Sequence, residues 1–417
     1  MINKKILVFS DCYIYGGSEK LMGFLLKNEI ISDEFTLLFA YRKHKDYELG
    51  LLNDGLLDRK NNFPLLLLSN ETLFHKINDL VLPKFFRSIF KVPLIILEKV
   101  KVYSIWNLLI FVLLLIKTKP GLIHINNGGY PGAKSCNVLV VANYLTIKAK
   151  IVYQVNNQAQ RNENWFSQII DRFVHKNVSY FINASLKAKE QLVIQRKFDS
   201  DKILVVDNCV PLAKLKRSRS QICDELKIPE SSFVITQVGF LSERKGQRYL
   251  IEAVKFLLEH YSILKDKLFL LLVGNGENED LLRNLVNEFG LNKNVFLLGY
   301  RNDSDDFISA ADVFVLPSIS NEDMPLVLLT ALGHGKPIIA TDLAGISQVL
   351  QSGKNGILIK NNLDTLVNDL VLQIYTLYND ERLRKELSAN AKLSYRRYTP
   401  ENYGLRLKEI YESVFAN

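Results

Sequence analysis

The chain has 417 residues, of which 48% are hydrophobic and 23% are charged. This mix is typical of a globular protein, and it excludes a disordered chain, a collagen and a disulfide scaffold. Since a domain usually spans roughly 100–200 residues, the length predicts two or three domains. The cysteines form neither a CxxC pair nor a Cys/His cluster, so we expect free thiols and no zinc site.

The positive charge lies in one half of the chain. Residues 1–208 contain 28 Lys and Arg against 18 Asp and Glu, whereas residues 209–417 contain 25 against 26. The net charge of +9 therefore comes from the first half alone. A basic surface of this kind indicates a partner with phosphates, which leaves nucleic acid, an anionic bilayer or a phosphorylated substrate.

The first residues, MINKKILVFSDCY, predict a strand rather than a signal peptide, because their apolar part is short and no small-residue cleavage site follows. The longest apolar stretch, Tyr103–Ile116, is shorter than the roughly 18 residues that a membrane-spanning helix needs. We therefore expect a cytoplasmic protein, either soluble or peripheral on the inner face of the cell membrane.

Short apolar runs alternate with amphipathic helical patterns in both halves. The predicted strands of the first half are Lys5–Ser10, Thr36–Ala40, Leu122–Ile125, Ile151–Gln154, Tyr180–Asn183 and Ile203–Val206. Those of the second half are Val234–Val238, Leu268–Val273, Val295–Leu298, Val313–Leu316, Pro337–Ala340 and Gly356–Ile359. Near-continuous apolar strands separated by helices are typical of parallel sheets buried on both faces. The pattern predicts an α/β protein with two doubly wound, Rossmann-like domains.

A basic, polar segment at Val210–Asp224 interrupts the alternation and marks the domain boundary. We predict a first domain over residues 1–208 and a second over residues 209–398. Residues 399–417 begin with Thr399 as an expected N-cap and Pro400 at the first helical position. Apolar residues then recur at helical spacing, which predicts a terminal amphipathic helix.

Basic residues interleaved with bulky apolar ones distinguish the region Leu73–Lys119. This composition suits a helix that lies in the interface of an anionic bilayer. Two core-packed helices with solvated lysines fit it equally well. Because Tyr103–Ile116 is expected to cover the sheet, Leu73–Lys91 is the better membrane candidate. No nucleic acid partner is expected, since no recognised binding motif accompanies the charge.

The first candidate site follows the first strand, in the segment YGGSE. Its glycines, Gly16 and Gly17, let the backbone approach a ligand closely, and Ser18 is expected to cap the next helix. A helix N-terminus at the carboxyl end of a strand suits a phosphate. A plain tight turn explains the paired glycines equally well.

Two further candidates follow the first two strands of the second half. In VGFLSERKG, Gly239 ends the strand, and Arg244 and Lys245 precede a helix. Two cations at such a turn can hold a diphosphate and stabilise it as a leaving group, although a solvated basic turn is the alternative. In VGNGE, Gly274 and Gly276 are typical of a turn near a ligand, but they do not complete a dinucleotide fingerprint.

The fourth candidate, residues 317–337, surrounds a short apolar helix. Pro325 is expected at the first helical position, and two glycines stop the helix. The free N–H groups of Leu326 and Val327 then suit phosphate or sugar oxygens. Glu322, just ahead of them, can accept hydrogen bonds from sugar hydroxyls. An exposed acidic loop is the alternative.

Taken in order, these segments resemble a retaining glycosyltransferase of family 4, a group 1 glycosyltransferase of the bacterial surface-glycan type. The resemblance implies the GT-B fold, in which two Rossmann-like domains face a central cleft. It is strongest in VGFLSERKGQRYLIEAV, LLLVGNGENEDLL, VFLLGYRNDSDDFISAADVFVLPS and IIATDLAGISQVLQSGKNGILI. The first half matches more loosely, through YGGSEKLM, KPGLIHINN, FINASLKAKEQL and VVDNCVP.

The resemblance implies a UDP- or GDP-sugar donor on the second domain, a glycan acceptor on the first, and a last helix that packs back on the first. No metal or other cofactor is implied. Lys245 then contacts the donor diphosphate, Glu322 the transferred sugar, and Gly16 and Gly17 approach the phosphates. Tyr300 lies where the base is held. The remaining donor contacts fall on Gly239, Arg244, Gly274, Gly276, Arg301, Met324, Pro325, Leu326, Val327 and Thr330.

Three positions depart from the family pattern. Phe240 replaces a common arginine, for which Arg244 can compensate, and Thr330 replaces the second of two paired glutamates. Asn156 ends the strand where many relatives have a histidine. It can hydrogen-bond the sugar or acceptor but cannot act as a base, and His124 is expected to be structural.

These residues predict transfer of a hexose, with retention, to a growing, lipid-linked glycan, as in lipopolysaccharide, O-antigen or capsule synthesis. An undecaprenyl-diphosphate oligosaccharide or a lipopolysaccharide core is the expected acceptor. A sugar-nucleotide epimerase or hydrolase of the same fold is one alternative. A donor-binding pseudoglycosyltransferase or assembly partner is another, because of the three departures.

Overall fold

The computed structural model describes residues 4–78, 80, 83–99, 101–161 and 164–416, without the side chains of residues 75 and 76. The chain divides into two compact units. The first unit comprises Met1–Asn183, Ala188–Val206 and Gly404–Asn417, and the second comprises Ala184–Lys187 and Asp207–Tyr403. Each unit contains one parallel sheet.

Seven parallel strands form the sheet of the first unit, in the order β3-β2-β1-β4-β5-β6-β7. They are β1 (Lys5–Ser10), β2 (Thr36–Arg42), β3 (Asn62–Leu65), β4 (Leu122–Asn127), β5 (Lys150–Val155), β6 (Tyr180–Asn183) and β7 (Ile203–Val205). The strand order reverses between β1 and β4, which is the switch point of a doubly wound sheet. The carboxyl ends of β1, β4 and β5 therefore lie side by side.

The helices of the first unit occupy the connections between its strands. They are α1 (Gly17–Leu26), α2 (Glu29–Ser32), α3 (Lys45–Asn53), α4 (Asn70–Asn78), α5 (Lys84–Lys99), α6 (Val102–Thr118), α7 (Lys134–Leu145), α8 (Trp165–Asn177) and α9 (Leu186–Arg196). One face of α6 covers the sheet, as predicted: Phe111 and Leu115 are fully buried, and the Phe111 ring meets the Phe9 ring edge to face at 5.1 Å.

Six parallel strands form the sheet of the second unit, in the order β10-β9-β8-β11-β12-β13. They are β8 (Phe233–Val238), β9 (Leu268–Val273), β10 (Val295–Leu297), β11 (Val313–Leu316), β12 (Ile338–Thr341) and β13 (Ile357–Ile359). The order again reverses, between β8 and β11. The sequence prediction of two doubly wound, Rossmann-like sheets is therefore confirmed.

Eight helices in the described residues complete the second unit. They are α10 (Arg219–Leu226), α11 (Gln247–His260), α12 (Glu279–Glu288), α13 (Ser304–Ala310), α14 (Leu326–Gly333), α15 (Ile346–Val349), α16 (Leu366–Asn379) and α17 (Glu381–Tyr395). Its core joins the buried leucines of α11 and α16 to the strands, with Leu250, Leu257 and Leu370 fully buried.

All twelve predicted strands are present, and four of them have the predicted bounds. The strand β3 was not predicted; it lies at the sheet edge, contains Pro64 and buries only Leu65. Proline cannot donate a ladder hydrogen bond and is therefore tolerated at a sheet edge. Because this strand has neither a long apolar run nor a regular alternation, its sequence carries little strand signal.

The last helix, α18 (Pro400–Ala416), begins at the predicted proline. Its apolar stripe is buried, and the Tyr411 ring lies edge to face against Phe35 of the first unit, 5.8 Å away. The Tyr411 hydroxyl also lies 2.8 Å from Nδ1 of the fully buried His124 on β4. Lys408 adds an ion pair to Glu34 at 3.2 Å.

The basic region Leu73–Lys119 forms α5, α6 and most of α4; within it, Asp79 and the side chain of Lys76 lie outside the described residues. Among the helices that the structure describes, none is by itself both long and apolar enough to cross a bilayer. The pair α5 and α6, bent by 62° at the break between them, meets that criterion of length and composition only when taken together.

Replacement of Tyr411 by phenylalanine tests the contact with His124. Burial lowers the pKa of His124 to about 4, so at neutral pH the ring is uncharged and Nδ1 accepts the Tyr411 hydroxyl. We expect Y411F to lower the unfolding free energy of the first unit by about 1–3 kcal/mol, because a buried acceptor loses its donor. Native-state hydrogen exchange of the β4 amides measures the loss.

The exposed Tyr144 provides the matched control, since Y144F removes the same atom from the surface of the same unit. Equal protection of β4 in Y411F, Y144F and the wild type would show that the hydroxyl does not stabilise the fold.

Candidate functional site

Lys245 is positioned by one turn of 3-10 helix, Glu243–Lys245, in the loop after β8. The carbonyl of Lys245 accepts a hydrogen bond from Gln237 Nε2 at 2.9 Å. Gly246 follows with φ of +69°, and a Cβ at this position would lie 2.0 Å from the carbonyl oxygen of Pro317. Only glycine therefore allows this turn to pack against the residues that follow β11. The packing leaves Lys245 only 7% exposed.

Glu322 lies in the loop between β11 and α14 and is 5% exposed. Its Oε1 accepts hydrogen bonds from Arg244 Nη1 and from Ser318 Oγ, each at 3.2 Å. Lys245 Nζ donates to the same oxygen in a short contact. The structure thus brings together the three charged side chains that the sequence analysis singled out, from two loops that follow neighbouring strands.

The cluster of Arg244, Lys245 and Glu322 has two cations facing one carboxylate. A buried carboxylate needs such partners, because desolvating an isolated charge costs several kcal/mol. One positive charge remains in excess, and charge-assisted hydrogen bonds to phosphate oxygens are strong. The arrangement can therefore bind an anionic oxygen beside a carboxylate that accepts hydrogen bonds from hydroxyls.

Two glycines allow the loop after β9 to pack closely against the loop after β8. A Cβ on Gly274, where φ is +142°, would lie 2.0 Å from the carbonyl oxygen of Gly239, and one on Gly276 would lie 2.3 Å from that of Leu241. The Leu241 N–H donates to the Asn275 carbonyl at 2.9 Å across the same contact. Close backbone packing thus accounts for both glycines without a ligand, and their assignment to the donor stays a prediction.

Tyr300 and Arg301 differ in their surroundings. Tyr300 is 62% exposed. The Arg301 guanidinium forms ion pairs with Asp303 at 3.0 Å and with Glu225 at 3.1 Å, and it lies over the Phe307 ring. These contacts fix Arg301 beside two carboxylates, so Tyr300 is the freer of the two side chains to meet a base.

The helix α14 begins one residue later than predicted. Pro325 has extended backbone angles and is the N-cap rather than the first helical residue. Leu326 and Val327 are therefore the first two helical residues, whose N–H groups have no partner within the helix. The Thr330 hydroxyl donates to the Leu326 carbonyl one turn earlier, at 3.1 Å. Met324 is buried, and its carbonyl accepts from Asn208 Nδ2 at 2.8 Å.

Asp323 is a buried residue of this loop that the sequence analysis missed. Ser185 Oγ donates to its Oδ1, and Oδ2 has no hydrogen-bond partner among the described residues. A Cβ on Gly345 would lie 2.8 Å from Oδ1, so the carboxyl is closely surrounded. Burial raises the pKa of Asp323 to about 6. Its position next to Glu322 is the only signal that the sequence carries.

In the first unit, the candidate glycines open α1. Gly16 is the N-cap and the helix starts at Gly17, so the expected cap, Ser18, lies inside the helix. Glu19 is buried and accepts hydrogen bonds from the Gly16 N–H at 3.2 Å and from Ser18 Oγ at 2.7 Å. Burial raises the pKa of Glu19. This carboxyl was not predicted from the sequence, and it accepts the N–H of Gly16, one of the two glycines expected to approach the phosphates.

Asn156 belongs to a directional chain of hydrogen bonds that begins at Tyr411. Tyr411 donates to His124 Nδ1, and His124 Nε2 donates to Gln154 Oε1 at 3.0 Å. Gln154 Nε2 donates to Asn156 Oδ1 at 2.8 Å, and Asn156 Nδ2 donates to Asn126 Oδ1 at 2.7 Å. This chain sets the orientation of the Asn156 amide. Both ring nitrogens of His124 are used in this chain, which agrees with the structural role expected for it.

Residues 218–394, which hold the cluster of Arg244, Lys245 and Glu322, match the model of the family described as glycosyl transferases group 1. This segment is a group 1 glycosyltransferase domain.

Curated relatives of this glycosyltransferase domain include the Escherichia coli UDP-Gal:alpha-D-GlcNAc-diphosphoundecaprenol alpha-1,3-galactosyltransferase. The identity is 34% over 207 residues, which are 48% of this chain and 53% of that enzyme. The lipopolysaccharide core biosynthesis glycosyltransferase LpsE of Rhizobium meliloti is 33% identical over 135 residues, which are 32% of this chain and 37% of that protein. The chain spans about half the length of the first curated relatives that it matches.

Solved glycosyltransferase structures resemble the chain over nearly its whole length. HepE of Anabaena in complex with UDP has a TM-score of 0.72 at 20% identity and covers 98% of this chain and 100% of its own. A glycosyltransferase from Rickettsia africae has a TM-score of 0.75 at 16% identity and covers 99% of each chain. Together with the two doubly wound sheets, this similarity establishes the GT-B fold.

Replacement of Asp323 by asparagine in the glycosyltransferase domain tests the environment of its carboxyl. The folded protein holds the Asp323 proton more tightly than an ordinary aspartate, whose pKa is 3.8. The proton therefore stabilises the fold below about pH 4, and this contribution is lost as the pH rises through about 6. D323N keeps a neutral side chain throughout, so its stability relative to wild type should increase by about 3 kcal/mol from pH 4 to pH 7.

Urea unfolding at a series of pH values measures this difference. The exposed Asp364 of the same unit supplies the control variant D364N, whose profile should parallel that of the wild type. Parallel profiles for D323N and the wild type would contradict the raised pKa.

Proposed function

We propose that this chain transfers a hexose from a nucleotide-diphosphate sugar to a hydroxyl of a growing, lipid-linked glycan, with retention of configuration. The observation that carries the proposal is the contact of Arg244 and Lys245 with the buried Glu322, inside a glycosyltransferase domain. A UDP-sugar is the favoured donor, because HepE is in complex with UDP and the Escherichia coli relative is named for UDP-Gal. A GDP-sugar is the alternative.

The names of two relatives and the charge of the first half support the proposed lipid-linked acceptor. The name of the Escherichia coli relative contains a diphosphoundecaprenol-linked sugar, and LpsE is named for lipopolysaccharide core biosynthesis. A lipid-linked acceptor carries phosphates, which agrees with the excess of Lys and Arg in residues 1–208.

In the proposed reaction, departure of the diphosphate is the costly step. Lys245 Nζ and the Arg244 guanidinium bind the diphosphate oxygens and stabilise the negative charge that develops as the bond from C1 to phosphate oxygen breaks. The N–H groups of Leu326 and Val327, at the start of α14, add partial positive charge. Glu322, held by the same two cations, accepts hydrogen bonds from hydroxyls of the sugar.

The acceptor hydroxyl attacks C1 from the face that the diphosphate leaves, so the new bond keeps the original configuration. Its proton passes to the departing phosphate oxygen, and the products are the extended glycan and a nucleoside diphosphate. Asn156 has no titrating proton and serves as a hydrogen-bonding group for the sugar or acceptor. Two cations supply the charge for which other enzymes use a metal ion, and we propose that the reaction is metal-independent on that ground.

Replacement of Lys245 by alanine tests the role of the cation. We expect K245A to lower kcat/KM by roughly 30- to 1,000-fold, since loss of a preorganised donor to developing negative charge costs about 2–4 kcal/mol. Transfer of labelled sugar from UDP-sugars to lipid-linked extracts provides the assay.

The control variant is R248A, which removes an exposed cation from the first turn of α11, three residues away. Its rate should equal that of the wild type. Wild-type turnover by K245A, with its melting temperature preserved, would refute the assignment.

The stereochemistry and the metal requirement form a separate prediction. Proton NMR of the product should show the anomeric configuration of the donor, and the transfer rate should be unchanged in excess EDTA. An inverted product would contradict front-face attack. A rate lost in EDTA and restored by Mg²⁺ would contradict the proposal that Lys245 and Arg244 replace a metal.

A donor-binding protein without transferase activity is the second candidate. It is favoured by Thr330, which stands where the family has a second glutamate and whose hydroxyl donates to the Leu326 carbonyl. A thermal shift with UDP-sugars, followed by transfer assays on the same preparation, separates the two. Stabilisation by donor without transfer to any lipid-linked extract would favour this candidate.

A further inference from the structure

Helix α5 (Lys84–Lys99) of the first unit has no buried residue among those that the structure describes. Eight of its apolar residues are between 37% and 71% exposed. Seven of them recur at spacings of three and four residues and so share one side of the helix. They are Phe85, Phe86, Ile89, Phe90, Val92, Ile96 and Leu97.

The opposite side of α5 is basic. Lys84, Arg87 and Lys91 are spaced at three and four residues and lie on that side, as does Glu98. Glu98 is the only acid in residues 83–119, against seven Lys and Arg. It is also paired, because Lys134 Nζ lies 2.6 Å from its Oε1. The described surface of α5 is therefore both apolar and strongly positive.

The neighbouring helix α6 adds a second apolar surface. Its inner side covers the sheet, but its outer stripe has no polar residue, and the exposed fractions along it run from 39% to 66%. This stripe consists of Val102, Ile105, Trp106, Leu109, Leu113 and Ile116. The Tyr103 hydroxyl donates to the Leu94 carbonyl of α5 at 3.0 Å, which joins the two helices.

Exposed apolar surface on two adjoining helices indicates a docking site. The charge decides the class of partner, because a helix with one apolar side and an opposite cationic side matches the acyl chains and anionic headgroups of a phospholipid bilayer. An ordinary protein interface instead has a core depleted in lysine.

We propose that α5 and the outer stripe of α6 form a docking surface for an anionic phospholipid bilayer, on which α5 lies in the plane of the interface. The phenylalanines and isoleucines of α5 enter the acyl boundary, and its lysines reach the phosphates. The proposal stands on the exposed surface alone and does not depend on the transfer reaction. Where both hold, the surface delivers the enzyme to a lipid-linked acceptor.

Vesicle flotation tests the proposal with the full chain. We expect the wild type to float with vesicles of phosphatidylcholine containing phosphatidylglycerol, and to remain in solution with phosphatidylcholine alone. High salt should release it, because screening weakens attraction to the headgroups. Alkaline carbonate should also release it, since a surface helix does not span the bilayer. Failure to float with anionic vesicles, or resistance to carbonate, would overturn the proposal.

Two variants separate the apolar and the basic contributions. The variant F85S/I89S removes exposed apolar side chains, and K84Q/K91Q/K99Q removes the three lysines of α5. The triple variant should partition on the order of 100-fold more weakly, as expected for three interfacial lysines. The matched control is I263S/L281S, which removes two exposed apolar side chains from the second unit and should float as the wild type does. Equal flotation of F85S/I89S and wild type would overturn the assignment to α5.

Trp106 reports insertion directly, because the chain has two tryptophans and W165F leaves Trp106 alone. Its emission should shift to the blue and be quenched by brominated lipid when anionic vesicles are added. A second copy of the chain is the competing occupant of this surface. A concentration-dependent dimer in sedimentation, abolished by F85S/I89S and accompanied by no quenching, would overturn the bilayer proposal. Donor binding measured in solution stays unchanged in either outcome, so a failure here is distinct from failure of the transfer reaction.

Discussion

The second unit is organised around one buried carboxylate that two cations share. The charges of Lys245 and Arg244 offset the desolvation of Glu322 in the interior. Their contact with it requires the loops after β8 and β11 to meet. This contact between the loops depends on Gly246, because any side chain there would collide with the Pro317 carbonyl. A backbone position without a Cβ thus determines whether the charges meet, and the charges in turn define what chemistry this end of the sheet can perform.

In the first unit, hydrogen bonds between uncharged groups orient a side chain at the carboxyl edge of the sheet. His124 is neutral because it is buried, so each of its nitrogens has a fixed role, and the direction of donation passes from Tyr411 to Asn156. A residue at the carboxyl edge of the sheet is thereby oriented by a helix that is distant in sequence. Such a chain gives a defined geometry without the desolvation cost of a charge.

Much of the architecture follows from local sequence. Apolar runs of four to six residues predicted every strand except β3, whose proline and exposed residues suit a sheet edge but carry no strand pattern. Two helix starts were predicted wrongly. Pro325 is the N-cap of α14 rather than its first residue, and Ser18 lies inside α1 rather than capping it. Asp323 and Glu19 were missed, because a carboxyl beside another candidate residue has no distinctive spacing, and its burial is a property of the folded chain.

By itself, the sequence determined the two doubly wound sheets, the loops at their strand ends and the residue types in those loops, because hydrophobic periodicity and turn chemistry act over a few neighbours. Only the tertiary structure decided which charges meet and which apolar faces stay exposed. Lys245 and Glu322 are 77 positions apart, and their contact depends on strand order. The outer stripe of α6 is as apolar as its inner face, so no local rule could tell which of the two would be covered.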